Sequence, residues 1–434
     1  MSVDGMRERL ERRRQGMSGS LWVWPAVATV IALLLGLVIS QIDGSAIPWL
    51  RTWLYPGDAT DARRLLITVA AALVGALALV IGLTMVAIQV AANRYSPRLL
   101  RSFLRDKSVK VTLALLVGSF TFNTAGLFTV GGAYGGADEY PRLAVTVGLV
   151  SLFACIAALI VFVDRMAHSI QIDSVLARIG RASVQTMRHL PPGVGAGCGR
   201  TPLDEPPSWA TPVHAYAAGY VQRVRREQLR RFAEGGINVR IVVRVGDHVV
   251  PGMLLGWIWR TTPDDATSID EENVRSALWI GQERTRNQDV ALGIDQMVDI
   301  AMLSAHVYDF HTVVQSTHEL ATLLSQLVGV DLGDERIDVG AQSIGLRGRE
   351  FGEYLERACG ELRRRSMGEP VIYLALLSVL GSLALLPGRP DTRAAIEAEV
   401  ALLLSSAGRT ITEPEEFNRV DQAAQGVLDA CRVD

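Results

Sequence analysis

The sequence predicts a multi-pass membrane protein: four transmembrane helices, then a cytoplasmic α+β domain with a small barrel-sandwich-like β unit and C-terminal helices. Two observations lead to this prediction. Long apolar runs dominate the first 164 residues, and short β-type segments and amphipathic helical segments occupy the remainder. The chain has 434 residues, 49% of them hydrophobic, and this length fits two or three domain-sized units.

The apolar runs are long enough to cross a bilayer, whose hydrocarbon core needs about 20 apolar residues. They cover residues 21–41, 65–92, 109–130 and 143–163, within a transmembrane region 21–164 that follows a basic cytoplasmic N-terminus, residues 1–20. A signal peptide is the alternative for the first run. That run is longer than a typical signal core and no small-residue cleavage site is evident near its end, so we interpret it as a retained helix.

Small residues are frequent in the second run, and they let helix backbones approach closely. They are Ala70, Ala71, Ala72, Gly75, Ala76, Ala78 and Gly82. We therefore predict that the second helix forms the centre of the bundle. A further apolar segment, residues 371–386, lies among charged amphipathic segments and is short. It is predicted to be a buried helix of the soluble domain, with a fifth span as the alternative.

A basic loop between the second and third runs indicates the orientation. Ser96 and Pro97 are typical of a helix start, after which leucines and arginines occupy opposite helical faces. The lysine and arginine bias places this loop and both termini in the cytoplasm. The excess of arginine over lysine and the abundance of Ala, Gly, Val and Leu would fit a bacterium, whose inner membrane would then hold the spans. The residues expected to contact anionic lipid or the soluble domain are Arg94, Ser96, Pro97, Arg98, Arg101 and Arg105.

The predicted spans carry only mild polarity, which argues against a pump or an ion-coupled transporter. The third span holds the main polar group, formed by Ser119, Thr121, Asn123 and Thr124. These side chains could line a narrow wet pathway between helices. Hydrogen bonding between helices is the more usual role of such residues, and we favour it.

The soluble part divides into a helical extension of the fourth span at 165–190, a Pro- and Gly-rich linker at 191–213, a β unit at 214–262 and a helical domain at 263–434. In the β unit, a Gly-Asp-x-Val-x-x-Gly turn follows a strand and precedes another. This order is similar to half of a biotinyl/lipoyl-type barrel-sandwich hybrid. There, Gly246 and Gly252 would allow tight turns and Asp247 would cap the turn backbone. The carrier lysine of that superfamily is missing, so we predict no cofactor.

Several motifs occur in a fixed order along the chain: Ser-Pro-Arg-Leu-Leu from Ser96, Gly-Tyr-Val-Gln from Gly219, Arg284-Thr285, Gln288-Asp289 and Val298-Asp299-Ile300-Ala301. In these motifs the chain resembles a bacterial family of predicted polytopic membrane proteins that carry a domain of unknown function. The resemblance extends from about the second span to the C-terminal helices and implies the architecture. The soluble residues selected with it are Gly246, Asp247, Gly252, Arg284, Thr285, Asp289, Asp299, Ser304 and Asp309.

Residues 303–312 depart from the family pattern, which has a Leu-Ser-Pro-Gly-Ile-Asn-Asp-Pro-like turn here. Leu303, Ser304, Asp309 and Thr312 remain, whereas both prolines and the asparagine are replaced. Histidines at 306, 311 and 318 near Asp309 suggest a metal site. His306 and His311 are five residues apart and diverge on a helix, so no metal site is predicted.

We expect a non-enzymatic homo-oligomer, channel-like if it encloses a pore, whose cytoplasmic domain serves assembly or sensing. Arg284 and Asp289 are interpreted as a structural ion pair or a helix cap, and no nucleophile-elbow or phosphate-loop pattern is present. The net charge of −2 argues against nucleic-acid binding. The expected partners are the lipid bilayer, anionic lipid at the cytoplasmic face and further copies of the chain. The alternatives are a membrane-anchored scaffold or sensor for a cytoplasmic partner, and a membrane-associated enzyme.

Overall fold

A computed structural model describes residues 22–39, 54–94, 107–129, 141–169, 171–188, 203, 205–261, 271–366 and 368–432. The chain forms two compact units, which divide between Ser174 and Val175. The first unit contains the apolar helices, and the second contains both sheets and the C-terminal helices. Each unit has its own core.

The described part of the first unit is helical: α1 Val23–Ile39, α2 Ala59–Arg94, α3 Lys107–Thr129 and α4 Arg142–Ser169. Three of these helices are long and apolar enough to cross a membrane, over Ala59–Val90, Ser108–Phe128 and Arg142–His168. The first helix is apolar but shorter, with 17 residues. The structure thus supports three long apolar helices, and the fourth span at 21–41 stays a prediction.

The centre of this bundle is α3, and the prediction that the second helix lies there is wrong. Of the apolar stretch of α3, 44% is buried, against 22% for α2 and for α4. Gly36 of α1 packs closely on Ala125 of α3, and Leu116 of α3 shares a core with residues of α2 and α4. The physical reason is that α3 carries the amide of Asn123, which is costly to expose to lipid. Small residues of α2 lose nothing by facing outward.

The helical extension predicted for 165–190 is interrupted. Helix α4 ends at Ser169, and the next helix, α5, covers Ile172–Arg188. The hydroxyl of Ser174 donates to the carbonyl oxygens of His168 at 2.7 Å and Gln171 at 2.8 Å, which satisfies acceptors freed by the break.

The described residues of the second unit form two β-sheets. Its first strands and helices are β1 Thr211–His214, β2 Gly219–Val224, α6 Arg226–Glu234, β3 Ile237–Ile241, β4 His248–Val249, β5 Leu254–Arg260, α7 Glu271–Ser276 and β6 Leu278–Gly281. A hairpin, β7 Glu335–Val339 and β8 Gln342–Leu346, follows later in the chain. The larger sheet has the order β1-β5-β3-β8-β7, and the smaller has the order β4-β2-β6.

Strands β6, β7 and β8 lie within the region 263–434 that was predicted to be helical. Strand β8 pairs in parallel with β3, with Val239 opposite Ile344, so the β unit is not confined to 214–262. The likeness to a barrel-sandwich hybrid is therefore limited to the turn between Gly246 and Gly252. The hairpin was missed because β7 is short and charged, and its strand character comes from pairing with distant residues.

Helices complete the second unit: α8 Val290–His306, α9 Phe310–Ser325, α10 Phe351–Arg364, α11 Pro370–Ala384, α12 Pro390–Thr410 and α13 Pro414–Arg432. Helix α11 is largely buried against α9 and α13, which confirms the buried helix predicted for the apolar segment 371–386. Its Tyr373 hydroxyl lies 3.0 Å from Ser406 Oγ and 2.9 Å from Thr410 Oγ1 on α12. Burial of a tyrosine is thus accompanied by hydrogen bonding.

Candidate functional site

Asn123 is a fully buried amide between α3 and α4. Its Nδ2 donates to the carbonyl oxygen of Ser119 at 2.8 Å and to Ser151 Oγ at 3.4 Å. Its Oδ1 has no hydrogen-bond partner among the residues the structure describes. A Cβ atom at Gly148 would lie 2.5 Å from this oxygen, so glycine is needed there for close packing. The thiol of Cys155 donates to Ser119 Oγ at 3.2 Å and continues the contact along α4.

Thr121 and Thr124 turn their hydroxyls onto their own helix. They donate to the carbonyl oxygens of Val117 at 2.9 Å and Phe120 at 2.8 Å. Within one chain, the polar residues of α3 thus make hydrogen bonds inside the bundle, as polar residues in spans commonly do. Their role in lining a pathway stays a prediction.

Four small residues lie together on the outward side of α2, beside exposed larger side chains such as Ile81 and Met85. Ala71, Gly75, Ala78 and Gly82 are all exposed and follow one another at spacings of four, three and four residues, which keeps them on one face. Cβ atoms added at Gly75 and Gly82 would meet no atom of the described residues within 4 Å. Exposed Gln89 extends the same face by seven residues. We call Ala71, Gly75, Ala78 and Gly82 the α2 small-residue face.

The residues predicted to contact lipid lie mostly outside the described part of the chain. These are Ser96, Pro97, Arg98, Arg101 and Arg105, while Arg94 is the last residue of α2.

In the second unit, Arg284 joins two carboxylates at the start of α8. Its Nε donates to Asp289 Oδ2 at 2.8 Å, and its Nη1 donates to Asp295 Oδ2 at 2.5 Å. Asp289 also caps α8, since its Oδ1 accepts from the backbone nitrogen of Leu292 at 3.2 Å. Both predicted roles, the ion pair and the helix cap, are therefore confirmed. Burial acts to lower the pKa of Arg284, but the two carboxylates outweigh it and raise that pKa above its usual range.

The turn at Gly246 packs directly on this ion pair. Gly246 has a φ of 93°, and a Cβ there would lie 2.5 Å from Asp289 Oδ2. Asp247 Oδ2 accepts from the backbone nitrogen of Arg244 at 2.9 Å, which confirms the predicted turn cap. Asp247 Oδ1 accepts from Arg349 Nη2 at 3.1 Å, and Arg349 Nη1 donates to the carbonyl oxygen of Val245 at 3.0 Å. The motifs at Gly246 and Arg284 are therefore in contact, although these two residues are 38 positions apart in the sequence.

Sequence reasoning missed three members of this network. Asp295 accepts from Arg357 Nη1 at 2.8 Å as well as from Arg284, and the Arg349 side chain is only 8% exposed. The charged sequence around Arg349 and Arg357 is typical of a solvated helix, which these contacts contradict. The sequence offers a signal for Arg357 alone, since apolar residues of α10 such as Phe351, Leu355 and Leu362 recur at helical spacing and indicate a packed face.

The other predicted soluble residues lie elsewhere. Ser304 is near the end of α8, about 20 Å along the helix from its first residue. Asp309 caps α9, since its Oδ1 accepts from the Thr312 nitrogen at 3.2 Å. Asp299 is half-buried on α8 and makes polar interactions. Gly252 has a φ of 84° and open space around it, and Thr285 Oγ1 is buried without a partner in the described part of the chain.

Comparisons with known proteins bear on the whole chain. Residues 18–382 match the model of the family described as predicted membrane protein (DUF2254). Proteins named as uncharacterised from two Mycobacterium tuberculosis strains and from Mycobacterium bovis are 34% identical over 416 residues, covering 94% of this chain and 80% of theirs. No solved structure matches the chain significantly.

Proposed function

The chain belongs to this DUF2254 family of predicted membrane proteins, and we propose that it acts as a homo-oligomer of the bacterial inner membrane whose copies meet through α2. The observation that carries the proposal is the α2 small-residue face. It is exposed in one chain and lies on a helix long enough to span the bilayer.

Lipid tails are as apolar as leucine, so exposed apolar residues do not drive association of helices in a membrane. Close backbone packing does, and it requires small residues on the contacting face. The α2 small-residue face has this property over four positions. Large side chains such as Leu79 and Met85 are exposed beside this face on α2. Similar side chains cover the outer side of α4, where Val150 at 61% exposure, Phe153 at 63% and Ile160 at 65% suit lipid contact.

A channel-like assembly around an axis would place α2, rather than α3, at that axis. Ser119 and Asn123 are engaged inside each bundle, whereas Gln89 is exposed beyond the α2 small-residue face. The pathway would be narrow and passive, because α2 contributes mainly small and aliphatic side chains. Basic residues at the N-terminus and in the loop around Arg98 and Arg101 favour cytoplasmic termini and contact with anionic lipid.

Cysteine cross-linking tests the proposed contact in the membrane itself. Three of the four native cysteines are buried in the structure, so all four are first replaced by serine or alanine. The variant Gly75→Cys should form a covalent dimer under mild oxidation, because equivalent positions approach closely in the assembly. The variant Val150→Cys, at a position that is also exposed but lies on α4, should not. Equal cross-linking at both positions, or none at Gly75→Cys, would contradict the α2 contact.

A scaffold or sensor for a cytoplasmic partner is the second candidate, favoured by the size of the second unit. It predicts that copies remain separate in the bilayer while the second unit retains a partner. Cross-linking absent at Gly75→Cys, together with specific retention of one soluble protein, would favour this candidate.

A further inference from the structure

Arg286 is a half-buried arginine without a carboxylate partner in the part of the chain that the structure describes. Its Nη2 donates to Oε1 of Gln296 at 2.9 Å, and Gln296 is itself only 5% exposed. Its carbonyl oxygen accepts from Thr186 Oγ1 on α5 at 2.7 Å, which holds the segment in place. Arginines that are removed from water usually meet an anion, because an unpaired charge is costly to desolvate.

The carboxylates near Arg286 are already engaged. Asp289 accepts from Arg284 Nε and from the Leu292 nitrogen, and Asp295 accepts from Arg284 Nη1 and from Arg357. Arg286 donates to the uncharged amide of Gln296, so its guanidinium adds a positive charge beside these pairs without a matching carboxylate among the described residues.

A further positive charge lies close by on α5. Burial and the charge of Arg178 both lower the pKa of Arg286 from its ordinary value, so the guanidinium experiences desolvation and repulsion together. Arg178 makes interactions of its own and is not required to bind a ligand here. Such a positive local potential favours an anion.

Two donors next to Arg286 in the sequence are also unmatched. Arg284 Nη2 and Thr285 Oγ1 are buried and have no hydrogen-bond partner among the described residues. Buried donors without partners are uncommon, and each calls for a physical explanation. Guanidinium and hydroxyl groups are donors suited to the oxygens of a phosphate, and arginine can bind such a group through two hydrogen bonds.

We propose that Arg284, Thr285 and Arg286 form an oxyanion-binding segment that takes a phosphate group, with Arg286 supplying the main contact. The phosphate can belong to a soluble ion or metabolite or to the headgroup of an anionic lipid, since both present the same oxygens. Binding involves residues of a single chain and does not depend on the contact between copies proposed above.

The test uses the full-length protein in detergent micelles, with thermal unfolding followed as inorganic phosphate replaces chloride at constant ionic strength. The wild-type protein should gain stability with phosphate in a saturable manner. The variant Arg286→Gln should bind phosphate at least about tenfold more weakly, because charge-assisted hydrogen bonds are lost. Its melting temperature without phosphate should be no lower than that of the wild type, since an uncompensated charge has been removed.

The matched control is Arg230→Gln, which removes an exposed arginine from α6 and should keep the full phosphate response. Arg286→Lys provides a second variant that retains the charge, and it should weaken binding without abolishing it. A wild-type protein that does not respond to phosphate or to anionic lipid would overturn the proposal. So would an Arg286→Gln variant that responds like Arg230→Gln, or one that melts well below the wild type without phosphate and so shows a purely structural arginine.

Nanodiscs separate the two sources of the phosphate group. If the ligand is a lipid headgroup, phosphatidylglycerol added to phosphatidylcholine should stabilise the wild type and not Arg286→Gln, even where inorganic phosphate has no effect. If the ligand is soluble, inorganic phosphate should act equally in both lipid compositions. Stabilisation by phosphatidylglycerol that persists in Arg286→Gln would exclude this segment as the lipid site.

Discussion

The Nε atom of Arg284 lies 2.8 Å from Oδ2 of Asp289, whose other carboxylate oxygen caps α8. One acidic side chain therefore fixes both the segment after β6 and the first turn of α8. The Asp289 side chain is only 1% exposed, so its charge depends on these two contacts for stabilisation.

Replacing Asp289 with alanine should lower the free energy of unfolding by about 3 kcal/mol, because it removes a helix cap and strands part of a buried guanidinium. Chemical denaturation of the full-length protein in micelles, followed by circular dichroism, measures the change. The control is Asp338→Ala, which breaks the more exposed pair with Arg336 and should cost under about 1 kcal/mol. Similar losses in the two variants would show that the Asp289 pair is not a structural centre.

Gly246→Ala and Gly252→Ala distinguish two costs in the free energy of unfolding: a steric clash with Asp289 and backbone strain at positive φ. Both have positive φ, 93° and 84°, but only a Cβ at Gly246 would meet Asp289. Gly252→Ala should therefore cost about 1 kcal/mol for the left-handed conformation alone. Gly246→Ala should cost at least about twice as much by the same denaturation measurement. Equal costs would mean that the turn can move away from α8.

The Arg244–Glu353 ion pair should make stability depend on pH at the acidic end. Burial tends to raise the pKa of Glu353, but the hydrogen bonds from Arg244 and from the Glu350 backbone, together with the charges of Arg244 and Arg349, outweigh it. The pKa of Glu353 therefore lies below its ordinary value. A lowered carboxyl pKa contributes stability above the unfolded-state value, about 4.3, and that stability is lost as pH falls through the folded value. The stability difference between wild type and Glu353→Gln should thus be full near pH 6 and shrink below about pH 4. A difference independent of pH would contradict this assignment.

Asn123 and Gly148 should be energetically coupled across α3 and α4. A Cβ at Gly148 would lie 2.5 Å from Asn123 Oδ1, so Gly148→Ala alone should destabilise the bundle. Combined with Asn123→Ala, which removes that oxygen, the second substitution should cost less, with a coupling energy of about 1 kcal/mol or more. A double-mutant cycle in micelles measures this coupling. If the two substitutions have additive effects on the free energy of unfolding, then α3 and α4 can move apart easily where Asn123 and Gly148 face each other.

Periodicity and flanking charge were sufficient to predict the long helices and the burial of α11. The positive-φ turns at Gly246 and Gly252 followed from glycine spacing, and the pairing of Arg284 with Asp289 followed from charge and proximity in sequence. These features are local, so a sequence shows them directly.

What was missed depends on distant contacts. The parallel pairing of β3 with β8 joins residues about 105 positions apart, and the charges of β7 hide its strand character. Which helix occupies the bundle centre depends on where the Asn123 amide is buried. The small residues of α2 predict close packing, but they do not indicate which helix packs against them. Asp295 and Arg357 meet only because α8 and α10 pack together.

The mass of the assembly tests the central claim most directly. Light scattering with subtraction of detergent or lipid gives the protein mass in solution. For the wild type we predict the mass of two or more whole chains. The double variant Gly75→Leu/Gly82→Leu should run as a single chain, because bulky residues block the α2 small-residue face while open space tolerates them within one chain. The control Val150→Leu on α4 should retain the wild-type mass. A wild-type protein with the mass of one chain, or a double variant that keeps the wild-type mass, would contradict assembly through α2.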